Sequence, residues 1–396
     1  MTFNPNEFLD TAGTWHFIPD WDDLVDPNYD FITDTQKGKG WANSAYAHEL
    51  MSPPPYDGIL VSKVVEEKSA LRKKRTRELG VKGALRVRPD FPVMGDCGAF
   101  GYIEEKLPPY TTSEVIDYYT AGGFDFGVSI DHLIPGPDHP DRQLRYDITI
   151  KNADEFIRMH RKLKPAWAPM GAVQGWDSET YGVCAAKLEK MGYRYLAIGG
   201  LVRKRNEEIT EIVTEIRKVI HAETRIHLFG VARPPLFDLY REKSIFSVDS
   251  ASALRRAWMG STDNFHMPDG DYCAIRVPSP EGKRGPMKNM PEEKIKKALN
   301  LEQKVLQSLR EFGDHKTDIE TVMGLLENYE NFYSEDGISR LKHYRRTLEA
   351  RPWENCTCPL CKSAGIQVAI FRGNNRNRRR GFHNTYILQQ KFLTLR

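Results

Sequence analysis

Residues 91–100 read "FPVMGDCGAF": a short, mostly apolar run to Gly95, an aspartate at 96, then Cys97, Gly98 and Ala99. An apolar run this brief, closed by small residues, suits a buried strand, since helices need roughly ten residues or more. Similar runs begin at 58 ("GILVS"), 125 ("DFGVSID"), 169 ("PMGAVQ"), 194 ("RYLAIGG"), 225 ("RIHLFGV"), 244 ("SIFSVD") and 272 ("YCAIRV"). Together they give eight candidate strands.

Helix-patterned stretches such as "TTSEVIDYYTAG", "DSETYGVCAAKLEKMG" and "KRNEEITEIVTEIRKVIHA" fill the intervals. Asn152 or Asp177 stands where an N-cap belongs, and Gly122 or Gly192 where a helix should stop. Strand and helix alternating about every thirty residues imply a parallel sheet with crossover helices. The expected fold is α/β, a TIM-type (β/α)8 barrel, with an open doubly wound sheet as the other topology that fits. The expected organisation is an irregular segment at 1–55, the barrel at 56–278, a helical extension at 279–350 and a zinc-binding, arginine-rich module at 351–396. "VPSPEGKRGPMKNMP", rich in Pro, Gly and charge, reads as the linker out of the barrel. Beyond it Ile295, Leu299, Leu306 and Leu309 fall near helical spacing.

The 57 basic and 54 acidic side chains nearly cancel to +3, so net charge alone names no partner. No stretch reaches the roughly 18 apolar residues of a membrane helix, and the N-terminus lacks a basic region followed by an apolar run. A soluble cytoplasmic protein without a membrane partner is expected. Six cysteines, three of them in "CTCPLC", suit a reduced compartment with a metal site better than a disulfide framework.

In a parallel barrel the residues just past different strands meet on one face. Here those residues are Asp96, Asp131, Gln174, Gly199, Gly200 and Asp249. Carboxylates converging on one cavity can serve a glycosidic displacement, one attacking or stabilising the anomeric carbon and another moving the proton. The glycines would let a heterocyclic base approach main-chain donors. Any one of these aspartates, taken singly, reads equally as a turn former or helix cap.

Cys356, Cys358 and Cys361, followed by His383, form a ligand set suited to tetrahedral zinc. Four protein ligands leave no open position, so one structural zinc per chain is expected, with His343 as a substitute for His383. Arg372, Arg376, Arg378, Arg379 and Arg380 cluster in "FRGNNRNRRRGFH", and Arg340, Lys342, Arg345 and Arg346 in "SRLKHYRR". Arginine clusters suit phosphates, and a solvated charged face is the other reading.

The order "DCGAF", "SIDHL", "VQGW", "YLAIGGL", "LFGVARP", "SVDSA" and "CTCPLC" with His383 resembles the tRNA-guanine transglycosylases over about residues 90–390. Those enzymes are zinc-containing TIM barrels that exchange guanine in a polynucleotide for a 7-deazaguanine. The resemblance implies Asp249 as nucleophile and Asp96 as general acid/base. It implies Asp131, Gln174 and Gly200, with Gly199 beside it, as the purine-binding set, and Cys356, Cys358, Cys361 and His383 as zinc ligands.

The chain departs from the family's usual D-S-G-G-F-Q, with Cys97, Ala99 and Gly101 at the changed positions. "VRKRNEE" follows "IGGL" where a small glycine-containing loop is usual, and the run after Asp249 lacks the proline-threonine-arginine continuation typical of the tRNA enzymes. Retained acids with rewritten surroundings resemble the DNA-modifying branch. That implies DNA and a free 7-deazaguanine base, 7-cyano-7-deazaguanine first among them, as substrates, with accessory proteins of a DNA-modification system as partners. Cys97 becomes a candidate pocket residue. A tRNA transglycosylase and a catalytically silent nucleic-acid-binding subunit are the competing readings, and the presence of both Asp96 and Asp249 argues for the enzyme. A glycoside hydrolase would leave the cysteines and arginines without a role.

Overall fold

The computed structural model describes residues 3–280, 291–332 and 337–396. The centre of the expected linker, 281–290, lies outside the described residues. The chain divides into two units, Met1–Trp21 with Tyr56–Ala251 and Gln389–Arg396, and Asp22–Pro55 with Ser252–Leu388.

The first unit is a closed barrel of eight parallel strands: β1 (Trp15–Pro19), β2 (Gly58–Ser62), β3 (Val93–Asp96), β4 (Phe126–Val128), β5 (Ala168–Val173), β6 (Tyr195–Ile198), β7 (Arg225–Leu228) and β8 (Ser247–Asp249). Closure comes from β8 pairing with β1, with Trp15 opposite Ser247 and Phe17 opposite Asp249. Seven strands match the sequence reading, and the eighth corrects it. "WHFIP", inside the segment expected to be irregular, is β1. "YCAIRV" is not a barrel strand: Ile275–Arg276 pairs with Ile370–Phe371 in the second unit. His16 hides β1 in the sequence, because it interrupts the apolar run yet is fully buried, its Nδ1 3.1 Å from Gln389 Oε1.

Phe17, Leu60, Met94, Phe126, Met170, Tyr195 and Phe246 fill the barrel. Phe8, from the helix Pro5–Leu9, packs on Phe126 and Phe246 at ring distances of 5.7 and 5.3 Å beneath the strands' N-terminal ends. Each such fully buried side chain contributes about 1.5–3 kcal/mol. The helices between strands are held by local chemistry. Asp177 accepts from the Thr180 amide at 2.8 Å, and Gly192 ends that helix with φ +102°. Thr111 and Glu114 form a capping box for Thr112–Gly122, with Gly123 as its left-handed stop. Asn152 caps nothing: it lies inside the 22-residue helix Arg142–Leu163.

The second unit carries the helices Ser252–Met259, Glu292–Gly313, Ile319–Phe332 and Leu341–Ala350, and most of Gly373–Leu393. Leu306 and Leu309 are buried, together with Ala298, Val305 and Phe312. Ile295 and Leu299 are only half-buried.

Candidate functional site

Asp96 and Asp249 are the last residues of β3 and β8. Asp131 lies in the segment after β4, Gln174 directly follows β5, and Gly199 and Gly200 directly follow β6. The six positions named from the sequence therefore share the strands' C-terminal face.

Gln174 joins three of them. Its Nε2 donates to Asp131 Oδ2 at 2.6 Å. A Cβ on Gly199 would fall 2.2 Å from that same Nε2, and one on Gly200 would fall 2.6 Å from the Tyr181 hydroxyl, so side chains at either position would displace this wall. Tyr181 donates to the Gly199 carbonyl at 2.9 Å, and Tyr102 to the Asp131 carbonyl at 3.0 Å. The Gln174 Oε1 is buried and, among the described residues, has no hydrogen-bond partner. The wall thus offers a carboxylate and a free carbonyl oxygen side by side.

Burial pushes the Asp96 carboxyl up to about 8, with Asp131 and Asp249 opposing its ionisation and the Gly98 and Cys97 amides partly offsetting both. The Gly98 amide donates to its Oδ2 at 2.9 Å. Asp131 is raised to about 6 by burial, moderated by the Gln174 hydrogen bond. At neutral pH the site therefore holds a protonated Asp96 facing a mostly ionised Asp131. Cys97 is fully buried, 3.6 Å from the Tyr119 hydroxyl, with its thiol raised by burial. Held this way, it is present as a neutral thiol.

Asp249 is 5 % exposed. Its Oδ1 accepts from the Gly230 amide at 2.9 Å and lies 3.1 Å from His227 Nε2. Gly230 has φ +70°, and a Cβ there would fall 2.4 Å from Val202 Cγ2. His227, Gly230, Tyr102 and Tyr181 are polar groups that the sequence reading did not single out. The one available signal was His227, a histidine inside the apolar run "RIHLFGV".

In the second unit Cys356, Cys358, Cys361 and His383 are all buried, with ligand atoms within 4.8 Å of one another. The sulfurs lie 3.5, 3.5 and 3.4 Å from His383 Nδ1. Tetrahedral zinc with ordinary bond lengths spaces sulfur and nitrogen by about 3.6 Å. His383 donates through Nε2 to the His266 carbonyl at 2.7 Å, leaving Nδ1 free as a ligand. The donor set fits a tetrahedral metal, and His383 rather than His343 completes it.

The arginine cluster corrects the sequence reading. Arg376, Arg379 and Arg380 are at most 5 % exposed. Arg380 donates to the carbonyls of Val368, Ile370 and Ala257, and Arg379 to the Asp26 carbonyl and Asn375. Arg376 pairs with Asp34 and bonds Gln367 and the Phe31 carbonyl, while Arg372 pairs with Asp34 and Glu302. Arg378, half-buried, donates to the Leu24 carbonyl and pairs with Asp23. Arg376, Arg379 and Arg380 are thus turned inward to hold the second unit together, and only the half-buried Arg372 and Arg378 keep surface that a phosphate could reach. In "SRLKHYRR", Arg345 is likewise committed, to Glu320 at 2.6 and 2.8 Å.

Residues 105–261 match the family model described as queuine tRNA-ribosyltransferase. The chain is 34% identical over 403 residues to the DNA-guanine transglycosylase of Salmonella montevideo, covering 95% of this chain and 96% of that protein. It is 26% identical over 226 residues to the tRNA-guanine(15) transglycosylase of Thermococcus onnurineus, covering 54% of this chain and 36% of that protein. The corresponding enzyme of Pyrococcus furiosus is 26% identical over 269 residues, 62% of this chain and 43% of its own length. With acids at the ends of barrel strands and a similarity that runs the length of the chain, this protein belongs to the tRNA-guanine transglycosylase superfamily, in its DNA-modifying branch, and is a guanine transglycosylase.

Proposed function

We propose that the protein exchanges guanine in DNA for a 7-deazaguanine, 7-cyano-7-deazaguanine being the first candidate, through a covalent intermediate on Asp249. The observation that carries the choice of DNA is the full-length similarity to a DNA-guanine transglycosylase, set against tRNA enzymes matched over less than half of their own length.

In the first step an Asp249 oxygen attacks the anomeric carbon of the target nucleotide. The bond to N9 breaks with its electron pair, and Asp96 gives its proton to the departing guanine. In the second step the ionised Asp96 takes the N9 proton of the incoming base. N9 then attacks the anomeric carbon and the carboxylate of Asp249 leaves. Two displacements return the configuration to its starting hand. A carboxyl that stays protonated up to about pH 8 is suited to the first proton transfer.

Asp131 accepts from the N1 and 2-amino groups that guanine and its 7-deaza analogues share, which is how one pocket can serve both bases. Gln174 and the Gly199–Gly200 wall flank the same edge. The target must leave the helix stack or be single-stranded to reach this pocket. Cys356, Cys358, Cys361 and His383 would hold zinc, which supplies a structural cross-link and takes no part in the exchange. Exchange on DNA suits a cytoplasmic location.

Incubation with labelled guanine or 7-cyano-7-deazaguanine, and with plasmid DNA or bulk tRNA in parallel, tests this reading. Label entering DNA is expected. Label entering tRNA alone would overturn the choice of polymer, and incorporation of guanine but of no deazaguanine would overturn the choice of base.

A further inference from the structure

A file of polar groups runs through the otherwise apolar barrel to Asp249. Tyr195 on β6, Ser247 on β8 and His227 on β7 are all fully buried. His227 and Ser247 stand opposite each other in the β7–β8 register, and His227 Nδ1 lies 2.6 Å from Ser247 Oγ. The Tyr195 hydroxyl bonds that same Oγ. His227 Nε2 reaches Asp249 Oδ1 at 3.1 Å.

The hydrogen-bond partners of these groups fix the direction of the file. Among the described residues the Tyr195 hydroxyl has one bonding partner, Ser247, and its ring is packed edge-on against Phe126 and Phe246. A buried hydroxyl hydrogen needs an acceptor, so Tyr195 donates to Ser247. Ser247 then spends its own hydrogen on His227 Nδ1, which leaves the ring proton on Nε2, aimed at Asp249. Every donor points the same way. The imidazole plane is held by Phe17 and Phe229, both near perpendicular to it at 6.3 and 4.8 Å.

The Gly230 amide donates to the same oxygen, Oδ1, at 2.9 Å. Two donors on one carboxylate oxygen fix the side-chain torsion and draw charge toward that oxygen, and neither of them touches the other oxygen. We propose that His227 is a positioning residue for base exchange: with its tautomer set by Ser247 and Tyr195, it clamps Asp249 Oδ1 so that Oδ2 meets the anomeric carbon. The proposal rests on the reading of Asp249 as nucleophile. Donors that hold a nucleophile in this way act by fixing the attack geometry, so they change the rate of the chemical step more than substrate affinity.

The test uses the full chain with labelled guanine and plasmid DNA, reading kcat and KM separately. Wild type must exchange and Asp249→Asn must not. Failure of either removes the functional reading, and this proposal with it. Given both, His227→Gln, which keeps an N–H near the Nε2 position, is expected within about threefold to tenfold of wild type. His227→Asn and His227→Phe, which lack that donor, should lose about 10- to 100-fold in kcat at unchanged KM, as for a hydrogen bond to a charged group. Equal losses in all three variants would assign the effect to ring packing and overturn the proposal, as would full activity in His227→Phe. Ser247→Ala disturbs the packing least and decides the matter if the histidine variants do not fold. A drop in kcat at unchanged KM is expected from it, and wild-type kcat would overturn the proposal.

Discussion

Gln174 donates to Asp131 at 2.6 Å through Nε2, and its buried Oε1 has no hydrogen-bond partner among the described residues. A buried acceptor left open is costly unless a ligand or water fills it. Placed beside a carboxylate, it leaves this wall, the proposed purine site, rich in acceptors for N–H groups. Asp131→Asn turns part of that wall into a donor that opposes the purine N1–H. Its KM for free guanine should rise about 10- to 100-fold, because a buried donor facing a donor forfeits a charged hydrogen bond. Unchanged KM would remove Asp131 from base recognition.

The two perturbed carboxyls predict a pH profile. On the proposed mechanism, recognition needs Asp131 ionised, above about 6, and leaving-group protonation needs Asp96 protonated, below about 8. A bell-shaped kcat/KM with limbs near these values is expected from exchange assays between pH 5 and 9.5. An alkaline limb that persists in Asp96→Asn residual activity would assign that limb to another group.

Asp96 also links pH to stability. The folded carboxyl holds its proton to about pH 8, whereas an unperturbed one ionises near 3.8. Between these values the native state binds more protons than the unfolded state, so this group lowers stability as pH rises from about 4 to about 8. Asp96→Asn removes the penalty. Thermal melts at pH 8 should show the variant raised by at least about 2 °C while its exchange falls to a residual rate, and the gap should close toward pH 4. A lower melting temperature at pH 8 would contradict the raised carboxyl.

Much of this site could be read in the sequence because strand ends are conspicuous: "FPVMGD", "SIFSVD" and "RYLAIGG" each stop an apolar run on the residue that lines the face. β1 could not, because buried His16 reads as polar and its partner, Gln389, lies 373 residues away. His227 was hidden for the same reason, its partners Ser247 and Asp249 being joined to it only by strand register. The arginines misled in the opposite direction. A charge run in sequence looks solvated, but in a helix that is buried around much of its circumference each guanidinium points at carbonyls or carboxylates that belong to distant segments.

The metal cluster yields a separable prediction. Four buried donors without a cation would leave thiolates packed together, so metal binding and folding of the second unit should be coupled. Cys358→Ser, or prolonged chelation, is expected to release about one zinc per chain and to lower the melting temperature. Loss of zinc without any change in melting or protease resistance would assign the cluster a role other than structure.

Buried arginines and phosphate-binding arginines differ in two measurable ways. Arg380 satisfies three carbonyls from inside the second unit. Arg380→Met strands those acceptors and should cost at least about 3 kcal/mol in denaturant unfolding. Arg378→Ala, on the half-exposed side of the same helix, should cost far less. A phosphate contact contributes about one unit to the slope of log affinity against log salt. With the cluster turned inward, DNA titrations of folded Arg378→Ala between 50 and 200 mM salt should reproduce the wild-type slope. A slope reduced by about one would return that arginine to the nucleic-acid surface, and an unchanged one leaves phosphate binding to other basic groups of the protein.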